Sequence, residues 1–407
     1  MQNKQKYMDF DFISNKDFLN FIEKNKDVSP ISLRLKKFKD TTFDINFAIT
    51  QITCRNKAKS KLPSLFDKII YPTDISIEQC TTETVAEFHG SLFKGCDTVY
   101  DFTCGLGIDS FFISKNAKTV RSFDINGQVA TIANENYKRL NKQNITAFQG
   151  DSIEVAKKIT EQISACFIDP SRRDKADSSS RLYSLESCEP DVKKIIDSIS
   201  DKSDFLIVKA SPMIDISQTI KYIDGISDIW IISIKNDCKE LLFKVDFKQE
   251  TEKISIHTIN YENSRVETFD SVFGNNDYAS KFATPEIGNY LYLPNSSIMK
   301  ANLFGAISES FKLAKIAANS HLYSSPNKKN YFPGKIFLID NICGMSKSEI
   351  INLRNRIKKA NIACRNFPLT PDALKSKLKI KDGGEVYIFA TTTAENKHIL
   401  LICSKVY

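Results

Sequence analysis

Residues 99–112, VYDFTCGLGIDSFF, carry an apolar run that ends in the carboxylate of Asp101, then passes through Thr103 and Cys104 into two glycines, Gly105 and Gly107. Glycine lets the backbone turn sharply and approach a ligand that a Cβ would keep away. Open α/β sheets bind ligands at the carboxyl ends of their strands, so a turn of this kind after a first strand is a candidate site. The third glycine of the dinucleotide fingerprint is absent. A tight strand-to-helix turn with no ligand would leave the same trace, so the reading needs support from elsewhere in the chain.

Further carboxylates give it. Asp124 ends the next apolar run, RSFDI, just before Ile125. An acid in that place can accept hydrogen bonds from both hydroxyls of an adenosine ribose, and would serve NAD equally well. Asp151 stands between Gly150 and Ser152 after the third run. It suits an adenine amino group, and equally the N-cap of a helix over SIEVAKKI. A fourth run, ACFID, delivers Asp169, and Pro170 stiffens the turn behind it. A carboxylate there could hold an acceptor in line with a reacting carbon and take its proton. Arg172 and Arg173 could clamp a phosphate, or pair with Asp169, Asp174 or Asp177 to order their own loop. The polar stretch 172–191 is long enough to be a substrate loop.

These acids recur because short apolar runs alternate with helical segments. The runs at 98–102, 120–125, 145–150, 165–169, 205–210 and 229–234 predict a parallel sheet covered on both faces. The run at 240–247 follows so closely that it suits an antiparallel neighbour. Six parallel strands and a reversed seventh make a seven-stranded Rossmann-like sheet, and 253–261 predicts one further edge strand. Ahead of it, KDFLNFIEKN and DINFAITQI predict helices, with Asp17 and Asp44 as N-caps, and TTETVAEFHGSLF another. The polar run 262–280 reads as a boundary. A second α/β region follows, with strands at YLYLP, HLYSS, KIFLID and IACRNF. Its helices are expected over 301–317, SKSEIINLRNRIKKA and TPDALKSKLKI. A final hairpin pairs EVYIFATTT with HILLICSKV.

The 407 residues, 42% hydrophobic, suffice for two or three domains. The N-terminus is too polar for a signal peptide, and no apolar run reaches the roughly 18 residues of a membrane span, so a cytoplasmic protein without membrane contact is expected. Ten cysteines lie singly and four histidines far apart (His89, His257, His321, His398). No metal site is expected, and the thiols read as reduced core residues. The net charge is +8, unevenly spread: residues 1–80 hold 14 Lys/Arg against 10 Asp/Glu, 276–407 hold 19 against 9, and the middle 24 against 30. Basic flanks suit a polyanion such as RNA, or are the solvated faces of lysine-rich helices.

The order Asp101…Gly105-x-Gly107, Asp124, Gly150-Asp151, Asp169-Pro170 resembles the class I S-adenosylmethionine-dependent methyltransferases. More narrowly, DFTCGLGIDS with FIDPSRRD, preceded by ISIEQCTTE and followed by YIFATTT and ILLIC, resembles the bacterial THUMP-like-domain methyltransferases from about residue 50 onward. The resemblance implies an N-terminal helical region (1–75), a methyltransferase domain (76–275), a small ferredoxin-like element (276–330) and a THUMP-like domain (331–407). It implies Asp101, Gly105 and Gly107 at the donor's amino-acid end, Asp124 at the ribose, Asp151 at the adenine and Asp169 at the transfer site. Thr103, Cys104, Asp109, Ile125 and Ser152 count among the donor's contacts, as do Gln79 and Thr81 before the first helix. Asp169 and Arg172 are the residues expected to serve the transfer itself.

Two departures shape the expected chemistry. Methyltransferases acting on amines often follow this aspartate with a second proline and an aromatic residue, where this chain has Ser171 and Arg172. Uridine-5 RNA methyltransferases need a nucleophilic cysteine after the fifth strand, where this chain has Lys209-Ala210-Ser211-Pro212. Cys104 and Cys188 read as small packing residues. The expected function is methyl transfer from S-adenosylmethionine to RNA without a covalent cysteine intermediate. The alternatives are a non-catalytic nucleic-acid-binding protein on the same scaffold, and an NAD-dependent oxidoreductase.

Overall fold

The computed structural model describes residues 13, 15–38, 41–172, 184–249, 252–263, 265–274, 282 and 286–406. The chain divides into two compact units. One comprises Met1–Lys209, Ser217–Gly225 and Lys244–Glu250, the other Ala210–Ile216, Ile226–Phe243 and Thr251–Tyr407.

The first unit begins with helices α1 (Lys16–Asn25), α2 (Pro30–Arg34), α3 (Ile45–Ala58), α4 (Asp74–Gln79) and α5 (Glu83–Ser91). Asp44 caps α3 as expected, accepting from the N–H groups of Asn46 at 2.8 Å and Phe47 at 3.1 Å. Asp17 does not cap α1. Asn15 does, accepting the Asp17 N–H at 2.8 Å, and the Asp17 carboxylate sits one step inside the helix, where the dipole favours it. Phe18, Ile22, Leu33, Ala48, Ile49, Ile52 and Ile70 pack into one core with Ile132. Asn136 fastens the segment after α3 by accepting from Ile70 N at 2.7 Å and donating to Ile70 O at 2.8 Å.

The strands that follow are β1 (Thr98–Asp101), β2 (Thr119–Asp124), β3 (Ile145–Gln149), β4 (Ile163–Ile168), β5 (Ser203–Ala210), β6 (Ile226–Ile234), β7 (Asp237–Asp246), β8 (Ser255–Glu262) and β9 (Arg265–Val272). They form a mixed sheet in the order β9-β8-β6-β7-β5-β4-β1-β2-β3. β1 runs parallel to β2 and β4, β2 to β3, and β4 to β5. Helices α6 (Ile108–Ile113), α7 (Gly127–Arg139), α8 (Ser152–Lys158), α9 (Val192–Ile199) and α10 (Ile216–Tyr222) alternate with the strands. Ala165, Cys166, Phe167 and Ile168 of β4 are all buried, so this strand reads as a continuous apolar run, as a doubly covered parallel strand must. β6 and β7 are joined at Lys235 and Asn236, with φ of 49° and 62°. Two successive left-handed residues make the tight hairpin turn, which reverses β7 as expected.

The strand expected at the sheet's edge is internal. β8 pairs parallel with β6 on one side and antiparallel with β9 on the other. β9 lies inside the polar run read as a boundary. Most of its side chains are exposed or half-buried, with Glu267 buried, so an edge strand of this composition carries no apolar signature.

The second unit, to which β6, β8, β9 and most of β7 also belong, holds β10 (Tyr290–Pro294), α11 (Ser296–Lys300), α12 (Phe304–Ser310), β11 (Ala314–Lys315), β12 (Tyr323–Ser325), β13 (Gly334–Cys343), α13 (Lys347–Arg356), β14 (Lys359–Arg365), α14 (Pro371–Leu378), β15 (Lys381–Thr392) and β16 (His398–Val406). Their sheet runs β11-β12-β10-β13-β16-β15-β14. β15 and β16 form the expected antiparallel hairpin. The single helix expected over 301–317 is instead the short α12 followed by β11. Asn302 and Lys312, with φ of 55° and 49°, break the helical path at both ends.

Candidate active site at the strand ends

Asp101 closes β1 and is fully buried. Its Oδ1 accepts from Thr103 N at 2.9 Å and from Thr103 Oγ1 at 3.4 Å, and Ser110 Oγ donates to its other oxygen. Burial outweighs these bonds and pushes its carboxyl up to about 7, with Asp109 and Asp169 adding to the rise. The turn behind it needs its glycines for two different reasons. Gly105 has φ of 51°, and a Cβ there would meet nothing within 4 Å, so the space beside it is open. Gly107 has φ of 79°, and its Cβ would lie 2.5 Å from Tyr137 Oη.

The first turn is tied to the second strand end. Gly105 N donates to Asp124 Oδ2 at 3.0 Å, and Asn126 N donates to Asp124 Oδ1 at 2.9 Å. Burial raises the Asp124 carboxyl against these two bonds. The third strand end joins through the backbone, where Gly150 N donates to Asp124 O at 2.9 Å. Ser152 Oγ reaches back to Phe102 O at 2.6 Å. Asp151 caps α8, accepting from Ile153 N at 2.9 Å and Glu154 N at 3.1 Å.

The fourth strand end closes the set. Asp169 N donates to Thr103 Oγ1 at 2.7 Å, and Asp169 Oδ2 lies 2.6 Å from Lys209 Nζ at the end of β5. The Lys209 side chain is nearly buried, 10% exposed. Its Nζ also donates to Thr81 Oγ1 at 2.8 Å and stands 3.5 Å from Asp109 Oδ2. Thr81 Oγ1 donates in turn to Asp109 Oδ2 at 2.7 Å. His89, with no exposed side-chain surface, places Nδ1 at 2.8 Å from Asp109 Oδ1. Burial opposes the Asp109 charge, but Lys209, His89 and Thr81 together hold its carboxyl well below the usual range. The ionised carboxylate accepts, so Nδ1 is the protonated nitrogen of His89.

One hydrogen-bonded patch thus gathers Thr81, Asp101, Thr103, Gly105, Asp109, Asp124, Ser152 and Asp169. Cys104 is buried beside it, donating its N–H to Phe123 O at 2.7 Å. Gln79 ends α4 with its side chain exposed, and Ile125 is 72% exposed. Ser171–Arg172 forms a short antiparallel ladder with Cys188–Glu189; the Arg172 side chain and all of Arg173 lie outside the described residues. Sequence reasoning missed His89 and Lys209 as members of the cluster. Lys209 was noted for what it replaces, not for what it binds.

All ten cysteines are free. Burial pushes the Cys104 thiol up to about 12, which leaves it a poor nucleophile. Among the described residues no group of His, Cys, Asp and Glu could hold a metal ion. No described helix is long and apolar enough to cross a membrane.

The fold has a structural counterpart. A crystal structure of a candidate methyltransferase from Porphyromonas gingivalis W83 superimposes with a TM-score of 0.86 at 27% identity, covering 96% of this chain and 98% of that one. The fold is that of a methyltransferase. Further along the sequence, residues 290–333 match a ferredoxin-like domain and residues 334–405 a THUMP domain-like family. Smaller proteins overlap part of the chain. An rRNA methylase from Streptococcus thermophilus covers 40% of it and 94% of its own length, at 16% identity and a TM-score of 0.31. A candidate methyltransferase from Streptococcus mutans, in complex with SAH, covers 40% and 96%, at 18% identity and a TM-score of 0.30. No curated protein matches the chain.

Proposed function

We propose that this methyltransferase fold takes its methyl group from S-adenosylmethionine and delivers it to RNA directly, with no covalent enzyme intermediate. One observation carries the reading. The ends of β1, β2, β3 and β4 are linked by hydrogen bonds through Gly105, Asp124, Gly150, Thr103 and Asp169 into a single surface.

The residues present fit an adenosine-bearing donor. The open space beside Gly105 is one a side chain would fill. Asp124 presents a carboxylate whose two oxygens are already oriented by backbone N–H groups, suited to the two ribose hydroxyls. Ile125, exposed next to it, offers an apolar shelf for the adenine, with Asp151 and Ser152 at the ring's polar edge. Asp101, Thr103, Cys104, Gly107 and Asp109 would shape the amino-acid end, with Gln79 at the end of α4 and Thr81 just after it approaching from the segment before α5. When bound, the donor supplies an electrophilic methyl group on a cationic sulfur. Asp169 would accept a hydrogen bond from the acceptor, hold it in line and take its proton, while Arg172 would hold a substrate phosphate. Among the described residues the thiol at the strand ends, Cys104, is buried and poorly nucleophilic, which supports direct transfer. In this reading residues 76–275 form the catalytic domain.

RNA as the acceptor is supported by charge. Residues 347–381 carry ten Lys/Arg against two Asp/Glu, a surplus equal to the net +8 of the whole chain. Arg356, Lys358, Lys359, Lys377, Lys379 and Lys381 are exposed on α13, α14 and the strands beside them. Such a surface attracts phosphates without reading bases.

The test is transfer of labelled methyl from S-adenosylmethionine to RNA extracted from cells lacking the gene. The proposal expects incorporation by the wild-type protein and its loss in Asp169→Ala. Donor binding without transfer to any RNA fraction would favour a non-catalytic nucleic-acid-binding protein instead.

A further inference from the structure

The Lys209 ammonium is a costly group to place where it stands. It is nearly buried, at the end of a strand beside the proposed transfer site, and its neighbours include two carboxylates and a threonine hydroxyl. A buried ammonium needs such partners, since an uncompensated charge is strongly disfavoured. Asp109 is in turn fixed by fully buried His89 and by Thr81. The scaffold therefore holds the cation at 2.6 Å from Asp169, whose side chain is 36% exposed.

We propose that Lys209 is a positioning residue that cancels the charge of Asp169, so that the donor site does not over-bind the cationic sulfur of S-adenosylmethionine. This rests on the donor reading above. In the reaction, positive charge begins on sulfur and spreads toward the acceptor. A bare carboxylate beside the sulfur would stabilise the concentrated charge of the ground state more than the dispersed charge of the transition state. Binding energy of that kind slows the chemical step. A carboxylate locked to an ammonium keeps its hydrogen-bonding geometry while presenting far less net field. Asp109, itself fixed by His89, serves here by anchoring the ammonium.

The measurement is calorimetric affinity for two ligands, S-adenosylmethionine and S-adenosylhomocysteine. They share adenosine, ammonium and carboxylate, and differ by the methyl group and its positive charge. Comparing their affinity ratio between variants removes the methyl contribution. Lys209→Met should shift the ratio toward the cationic ligand by about fivefold or more, the scale of one charge acting within a partly buried site. Lys209→Arg, which restores the cation, should keep the wild-type ratio. Asp109→Asn, which removes a negative charge from the same cluster, should move the ratio the other way and serves as the deciding variant if Lys209→Met does not fold.

If the wild-type protein binds both ligands and the ratio stays unchanged in Lys209→Met, or in Asp109→Asn where that variant decides, the charge-balancing role is overturned while the donor reading stands. Binding of neither ligand by the wild type overturns both.

Discussion

The backbone N–H of Gly105 donates to Oδ2 of Asp124 across 3.0 Å. The glycine turn after β1 and the acid that ends β2 are therefore one unit, and a change to either is felt by the other.

Asp124→Ala removes the proposed ribose acceptor and leaves the Gly105 N–H without its partner. Hydrogen bonds to a charged group contribute about 1.5–3 kcal/mol each, so donor affinity should fall by about tenfold to a hundredfold for each ribose hydroxyl that loses its acceptor. Calorimetric titration of wild type and variant checks this. Near-equal affinities would remove Asp124 from the site.

The two glycines should respond unequally. Gly107→Ala places a Cβ 2.5 Å from Tyr137 Oη at a φ of 79°, and Tyr137 is itself buried. Strain and overpacking together predict a loss of about 2–4 kcal/mol. Gly105→Ala meets no neighbour and should cost about 1 kcal/mol for the left-handed backbone alone. Urea unfolding of both variants measures the difference; equal losses would mean that Tyr137 yields freely.

Asp101 makes stability depend on pH with a definite sign. Burial raises its folded-state carboxyl to about 7 from an ordinary value of 3.8. The folded protein then holds a proton that the unfolded chain has released, so this group's contribution declines as pH rises between those two values and is flat above them. The full span is of order 4 kcal/mol. Asp101→Asn should be less destabilising, or even stabilising, at pH 8 than at pH 5. Urea titrations at the two pH values read this directly, and a variant that is relatively worse at pH 8 contradicts it.

The basic surface of the second unit predicts a salt signature. Reversing Lys377, Lys379 and Lys381 to glutamate should weaken RNA binding across unrelated sequences. Loss of about three phosphate contacts should also flatten the dependence of log affinity on log salt by nearly three. Fluorescence anisotropy at several salt concentrations is sufficient. An unaltered slope would place RNA elsewhere or nowhere.

The parallel strands were legible because each is a short apolar run with a carboxylate or glycine at its exit, a pattern set by burial on both faces. Asp101, Asp124 and Asp169 could be placed at strand ends for the same reason. β9 was not legible, since an edge strand with polar side chains loses the alternation that marks a strand. The break near Lys312 was not legible either, because a lysine gives no warning of a left-handed backbone. His89 and Lys209 were hidden for a different reason. Lys209 meets Asp109 100 residues away and Thr81 128 residues away. Within its own strand it is one polar residue ending an apolar run. Contacts that span the sheet carry no local pattern, and the fold had to be in hand before they could be named.

The most direct test of the central claim is a crystal structure with S-adenosylhomocysteine bound. The account predicts the ribose hydroxyls on the Asp124 carboxylate, the adenine against Ile125 near Asp151, and the sulfur facing Asp169. Ligand density at another surface, or none at these strand ends at saturating ligand, would contradict it.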